Sequence, residues 1–462
     1  MNIVLTHAYF LKEDPKELQI MKPYPPLGLL YVSAFLEQNG IDHDVFDSTF
    51  SDKERWMDFM LAKKPDVIAL YTNLMTKVRL IEMIKQIRTS EALRETKIVL
   101  GGPDVTYNWK DYLKHGTDFL VIGEGEETFK ELIDQLAGNQ CYNDVDGLAF
   151  IDAKGQARKN KPRIKIKQVD ELPLPNRKRV DLTHYLQAWK EHHDKSTLNV
   201  STQRGCPYTC KWCSTAVYGQ SYRRRSPQLV VDEIEYLIQE YKVDALWFVD
   251  DVFTVSHKWL KAFSEEMQSR KIQIPFECIT RAERMNEEVI IQLKKAGCFR
   301  IWIGAESGSQ RIIDLMDRQV DIKKVSEMMQ LTKKHGIETG TFIMVGYPTE
   351  TLEDINLTID YLKEADPDLF TITVAYPIKG TGLYEQIESK IVVQPEWSTS
   401  TDRQIDFERT YPRQFYDFAV RRIVNEVNFH KQKTKGNSWS KKAVMSKLKS
   451  EVSHYQMKRL IS

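Results

Sequence analysis

The sequence predicts an α/β protein: a doubly wound parallel domain, then a partial (β/α)6 barrel, then a helical C-terminal segment. Three observations predict it. Five short apolar runs, at residues 3–5, 45–46, 67–71, 98–100 and 119–122, alternate with helical patterns before about Leu136. Six more runs, at residues 198–201, 245–249, 276–279, 300–303, 338–344 and 369–374, repeat the alternation. Helical spacing then returns around residues 412–431. With 462 residues there is enough chain for two or three domains.

In the first half, the connecting lengths make the strands parallel. Pro26 is placed to open a helix carrying Leu29, Leu30, Ala34 and Leu36, and Gly40 sits where a C-cap belongs. Ligands of such sheets lie beyond the carboxyl ends of the strands. Those ends carry Thr72-Asn73-Leu74, Gly101-Gly102-Pro103 and Gly123-Glu124-Gly125-Glu126. Each glycine alone could simply be a turn residue. Glycines after two successive strands also suit a ligand lying close to the backbone.

Residues 152–195 change character. Residues 154–167 are rich in Lys and Arg, and Leu172-Pro173-Leu174-Pro175-Asn176 is a rigid extended segment, so this part reads as a linker. The expected domains are therefore 1–145, a linker over 146–195, the barrel over 196–390 and an extension over 391–462. In the barrel, Ser226-Pro227 supplies an N-cap and first-turn proline to a helix with Val230, Ile234, Leu237, Ile238 and Tyr241 at helical spacing. Chemistry in such a barrel belongs at the C-terminal strand ends.

Composition narrows the function. Hydrophobic residues make up 42% and charged residues 28%, a globular composition, and the net charge of +1 argues against nucleic-acid binding by bulk positive charge. No apolar run approaches the roughly 18–20 residues of a membrane span, and the N-terminus reads as a strand, so a cytoplasmic protein is expected. Between His430 and Ser462 there are nine Lys or Arg against one acid, Glu451, which reads as a solvated helix end or a partner site.

Three of the six cysteines crowd into Gly205-Cys206-Pro207-Tyr208-Thr209-Cys210-Lys211-Trp212-Cys213, a Cys-x3-Cys-x2-Cys cluster just after the first barrel strand. Thiolates this close are expected to hold a metal. Zinc would want a fourth ligand at matching spacing, and the chain offers none. Three thiolates on a four-iron, four-sulfur cluster would leave one iron open for a small molecule. Cys141, Cys278 and Cys298 are isolated and read as buried small apolar residues. A structural site, in which the three cysteines hold iron or zinc without catalysis, is the alternative from another class.

This cluster, with Trp212 before the third cysteine, resembles the radical S-adenosylmethionine enzymes. The resemblance implies a 4Fe-4S cluster on Cys206, Cys210 and Cys213 and S-adenosylmethionine chelating the open iron. It places Trp212, Asp250, Asp251, Arg281, Glu306, Ser307 and Gly346 around that molecule. Asp250-Asp251 stands where the family commonly has Gly-Gly-Glu, a variant associated with its cobalamin-dependent branch. Pro25-Pro26-Leu27-Gly28-Leu29, Gly101-Gly102-Pro103 and Gly123-Glu124-Gly125-Glu126 resemble the Rossmann-like cobalamin-binding domain that precedes such barrels. The implied cobalamin contacts are Leu27, Gly28, Thr72, Asn73, Leu74, Gly101, Gly102, Gly123, Glu124 and Gly125. The chain has no Asp-x-His-x-x-Gly motif, so no histidine is expected below the cobalt.

Together these likenesses imply a cobalamin-dependent radical C-methyltransferase. A 5′-deoxyadenosyl radical would abstract hydrogen from an unactivated carbon, and methylcobalamin would supply the methyl group. Ring formation, as in anaerobic magnesium-protoporphyrin ester cyclisation, is the alternative. The substrate stays open between a small molecule, lipid, tetrapyrrole or peptide. Flavodoxin or ferredoxin is the implied electron donor.

Overall fold

The computed structural model describes residues 1–461; Ser462, the last residue of the expected C-terminal extension, lies outside them. The chain forms two compact units. The first comprises Met1–Pro207, Ser214–Trp247 and Pro395–Asp402; the second comprises Tyr208–Cys213, Phe248–Gln394 and the residues from Arg403 on.

The first unit contains a seven-stranded sheet of β1 (Ile3–His7), β2 (Asp44–Phe46), β3 (Val67–Tyr71), β4 (Lys97–Gly101), β5 (Phe119–Val121), β6 (Leu148–Ile151) and β7 (Ala157–Lys159), in the order β2-β1-β3-β4-β5-β6-β7. The five expected strands are parallel. Their side chains are apolar on both faces, as helices on both sides require. Trp56, Met60, Leu80, Ile84 and Tyr112 cover one face of the sheet, and Leu29, Leu36, Phe129 and Leu132 cover the other. The first helix runs Leu27–Gln38, with Pro26 as N-cap and Gly40 at φ 70° beyond its end, as the sequence suggests.

The supposed linker is more structured than its composition implies. β6 extends the sheet antiparallel to β5, and β7 pairs antiparallel with β6. Their turn is set by Asp152, whose carboxylate accepts from the amides of Lys154 and Gln156, and by Gly155 at φ 76°. Arg163 then donates to Thr128 at 2.6 Å. Helix Leu182–His193 is fastened by Tyr185 donating to Asp47 and Thr49, and by Trp189 donating to the Pro23 carbonyl at 2.8 Å. Side-chain hydrogen bonds thus replace the apolar runs that would have marked this segment as ordered.

The remaining strands are β8 (Thr197–Val200), β9 (Gln203–Arg204), β10 (Arg223–Arg224), β11 (Ala245–Phe248), β12 (Phe276–Thr280), β13 (Cys298–Glu306), β14 (Glu338–Val345), β15 (Leu369–Val374), β16 (Ile391–Val393) and β17 (Asp406–Phe407). The six predicted barrel strands are observed as β8, β11, β12, β13, β14 and β15. In the second unit β12 to β15 pair in parallel. Helices intervene, the one at Leu352–Ala365 opening with a capping box of Thr351 and Asp354. Two final helices, Arg413–Thr434 and Lys441–Arg459, pack on one another, so the basic tail is a helix.

Candidate active site

None of the six cysteines is joined in a disulfide. Cys278 and Cys298 are buried as expected, whereas Cys141 is exposed and its thiol donates to Asp144. In the first unit Cys206 follows Gly205, whose φ is 83°. A Cβ there would lie 2.4 Å from the Ser221 hydroxyl and 2.6 Å from its carbonyl, so only glycine lets the chain enter the cysteine loop. In the second unit Cys213 donates its amide to the Cys210 carbonyl. Lys211 between them is held on both sides, its N–H on the Met316 carbonyl and its carbonyl on the Leu383 N–H. Trp212 packs against the apolar cluster that includes Met316, Tyr347 and Leu383.

The expected Arg281, just past β12, meets this loop. Its Nη1 donates to Cys210 Sγ at 3.2 Å, and the guanidinium lies 3.8 Å over the Tyr208 ring. Its remaining nitrogens bind Glu283 and the Arg318 carbonyl. Arg318 also binds Glu283 at 3.3 Å and the Gly304 carbonyl at 2.9 Å. Glu283 Oε2 is buried with no hydrogen-bond partner among the described residues. A guanidinium donating to a cysteine sulfur suits an anionic sulfur centre, and a vacant carboxylate oxygen suits a cationic group. Among the described residues no three ligating side chains converge on a point suited to a single metal ion. Cysteines outside any disulfide, one of them beside a cation, fit an iron–sulfur cluster, whose ligands stand farther apart than those of one ion.

Other expected positions fall at neighbouring strand ends. Glu306 ends β13 at a bulge, with φ 67°, and burial raises its carboxyl to about 7 against the opposing charges of Arg318 and Arg281. Ser307 is fully buried; its hydroxyl lies 3.4 Å from that of Thr358 and accepts from the Ser309 amide. Gly346, at φ 78°, donates its amide to Glu350, whose carboxyl burial pushes up to about 8. Asp250 is buried beyond β11, and the Asp251 carboxyl is raised by desolvation and by the charge of Asp250.

In the first unit the strand ends after β3 and β4 come together. The Thr72 amide donates to the Gly101 carbonyl at 2.8 Å, and Asn73 caps its own turn by accepting from the amides of Met75 and Thr76. Gly102 has φ 113°, and a Cβ there would lie 2.2 Å from the Thr72 carbonyl. The Tyr71 ring lies 3.1 Å from that same Cβ position and 3.7 Å from the one at Gly28, so Gly28, Gly102 and Tyr71 share one surface. Leu27 begins its helix beside them, Leu74 lies in the β3 loop, and Gly123 has φ 91°. Gly125 opens the helix that follows β5.

Glu124 has a different use. Its carboxylate accepts from Arg204 at 3.0 Å, from Arg223 at 2.7 Å and from the Ile166 amide at 2.8 Å. Arg204 also pairs with Glu126 and lies 5.3 and 5.4 Å from the ring centres of Tyr31 and Tyr218. Arg204, Arg223 and Tyr218, with Glu283 and Arg318, are site neighbours absent from the sequence reading. The carboxylate shared by Arg204 and Arg223 lies 80 and 99 residues from them, beyond the reach of local patterning.

Comparison with known proteins agrees with this geometry. Residues 200–362 match the model of the radical SAM superfamily, and residues 19–133 match that of the B12 binding domain. An uncharacterized methyltransferase of Pyrococcus horikoshii is 30% identical over 393 residues, covering 82% of each chain. The anaerobic magnesium-protoporphyrin IX monomethyl ester cyclase of Rubrivivax gelatinosus is 25% identical, covering 81% of this chain and 68% of the cyclase. The structure of the cobalamin-dependent S-adenosylmethionine radical enzyme OxsB shares the fold, with a TM-score of 0.77 at 15% identity over 99% of this chain and 72% of that one. The protein therefore belongs to the radical SAM superfamily and carries a B12-binding domain, an enzyme family whose cofactors are a 4Fe-4S cluster, S-adenosylmethionine and cobalamin.

Proposed function

We propose that the protein is a cytoplasmic C-methyltransferase acting on an unactivated carbon. The observation that carries the radical site is the meeting of Arg281 with Cys210, which sets the end of β12 against the cysteine loop. The methyltransferase of P. horikoshii, similar over 82% of both chains, supports methyl transfer as the reaction. When bound, the cluster and S-adenosylmethionine supply the hydrogen-abstracting radical, and cobalamin supplies the methyl group.

The chain's own residues hold and orient these groups. Cys206, Cys210 and Cys213 hold the cluster. Arg281 opposes its negative charge, Arg318 holds Arg281 and Glu283 in place, and Glu283 Oε2 offers an acceptor to a cationic group. Asp250, Asp251, Glu306, Ser307 and Gly346 line the S-adenosylmethionine site, and Trp212 fixes the loop beneath it. Leu27, Gly28, Thr72, Asn73, Leu74, Gly101, Gly102, Gly123 and Gly125 line the cobalamin site. Glu124 acts there indirectly, by tying Arg204 and Arg223 to the same loop. Misplacement of a reacting atom by about 1 Å can cost on the order of a hundredfold in rate, which gives this rigid support its purpose. The domains proposed are 1–145, 196–390 and 391–462, joined by 146–195, with flavodoxin or ferredoxin as electron donor.

Similarity to the R. gelatinosus cyclase favours ring formation as the second reading. One assay separates the two. Anaerobically reconstituted protein is given S-adenosylmethionine, reductant and candidate substrates, and both 5′-deoxyadenosine and S-adenosylhomocysteine are quantified. Methyl transfer yields both, with a product heavier by one methylene unit. Deoxyadenosine without S-adenosylhomocysteine would assign the cyclase reaction instead.

A further inference from the structure

The last helix, Lys441–Arg459, has two opposed faces. Ala443, Ser446, Ser450, Ser453 and Met457 are buried on one side. The hydroxyl of Ser450 donates to Glu426 of the preceding helix at 2.7 Å, so this small-residue face is the one that anchors the helix. On the other side Val444, Met445, Leu448, Val452 and Tyr455 are between 43% and 62% exposed. Their spacing of three to four residues makes a continuous stripe about 16 Å long from Val444 to Tyr455. Trp439, just before the helix, is 92% exposed. Scattered exposed apolar residues need no explanation, but a continuous stripe on one helix does.

Charge selects the occupant. Lys447 is neutralised by Glu426 and Glu451. Lys441, Lys442, Lys449 and Lys458 are exposed beside the stripe and form no ion pair among the described residues. A second copy of the chain docked by the same stripe would bring these lysines against each other. A convex apolar stripe, flanked by flexible lysines and with aromatic residues toward its two ends, matches instead the interface of an anionic bilayer. Aliphatic groups there enter the acyl boundary, lysine stems reach up to the headgroups, and Trp and Tyr settle at headgroup level.

We propose that the C-terminal helix docks this enzyme on the surface of anionic membranes. Among the described residues no helix is long and apolar enough to cross a membrane, so the attachment is peripheral. The test is co-sedimentation of the full chain with phosphatidylcholine vesicles, with and without phosphatidylglycerol. Binding is expected only to the anionic vesicles, with release by salt. Replacing Lys441, Lys442, Lys449 and Lys458 by Gln should lower the partition coefficient about fivefold per lysine removed. Leu448→Glu with Val452→Glu should abolish binding while leaving thermal melting and S-adenosylmethionine cleavage unchanged, because both positions face solvent. Failure to bind anionic vesicles at low salt would overturn the proposal. So would equal binding to both vesicle types. A dimer dissolved by Leu448→Glu in protein that ignores vesicles would give the stripe to a second copy.

Discussion

Arg281 donates to the sulfur of Cys210 at 3.2 Å while its guanidinium lies 3.8 Å from the centre of the Tyr208 ring. A residue of β12's end and the middle cysteine of the loop are thereby fixed to each other. The guanidinium fork is also held by Glu283 and the Arg318 carbonyl, so its aim at the sulfur is set from three sides.

Arg281→Lys keeps the charge but loses the fork and the stacking. Groups that orient a metal ligand typically contribute about 10–100-fold to affinity or activity. A loss of that size is expected in deoxyadenosine formation, together with an altered cluster signal in electron paramagnetic resonance. An unchanged spectrum and rate would remove Arg281 from the site.

Glu306 titrates at about 7, because burial outweighs the favourable charges of Arg318 and Arg281. In the proposed site the ionised carboxylate would form a charge-assisted bond with the amino group of S-adenosylmethionine, and the protonated acid only a weaker neutral one. Binding should therefore strengthen as pH rises toward 7, by up to about tenfold per unit below that point. Glu306→Gln should flatten the profile, as measured by equilibrium binding across pH 6 to 8.

The buried pairs of Glu233 with Arg177 at 3.0 Å and with Arg225 hold the β8 end of the first unit. Burial raises the Glu233 carboxyl, but the two arginines outweigh it and hold it below its usual 4.5. A depressed carboxyl gives stability that is full above the unfolded value and is lost as pH falls through the folded one. Glu233→Ala leaves two buried cations without their partner and should cost about 3–5 kcal/mol in denaturant unfolding. Glu233→Gln should lose the part of the acid sensitivity that lies below about pH 4.5.

Gly102→Ala would place a methyl group 2.2 Å from the Thr72 carbonyl at a φ of 113°. The backbone must shift, at a cost of about 1–3 kcal/mol. A lower melting temperature and reduced cobalamin uptake are expected, with iron content unchanged.

The strand positions and the cysteine loop were legible because each rests on local pattern: apolar runs of strand length, and thiols at fixed spacing. The places of Thr72, Gly101 and Gly102 at strand ends follow from the same apolar runs. The β6–β7 hairpin was not, since its three- and four-residue strands lie beside a Lys- and Arg-rich stretch that reads as linker. The role of Glu124 was hidden as well. Its partners Arg204 and Arg223 lie 80 and 99 residues away, and ion pairs over such separations leave no periodic trace. Cys141 was misread because a lone thiol usually packs inside, whereas this one sits on an exposed turn beside Asp144.

The most direct test is the cofactor content of protein purified anaerobically from cobalamin-fed cells, read by visible spectrum, iron analysis and mass spectrometry of the extracted ligand. A cobalamin-dependent radical methyltransferase should carry one cobalamin and one cysteine-bound iron–sulfur cluster per chain, the cluster disappearing in Cys210→Ala while cobalamin stays. An intact cluster with no cobalamin, or a cluster that survives Cys210→Ala, would contradict it.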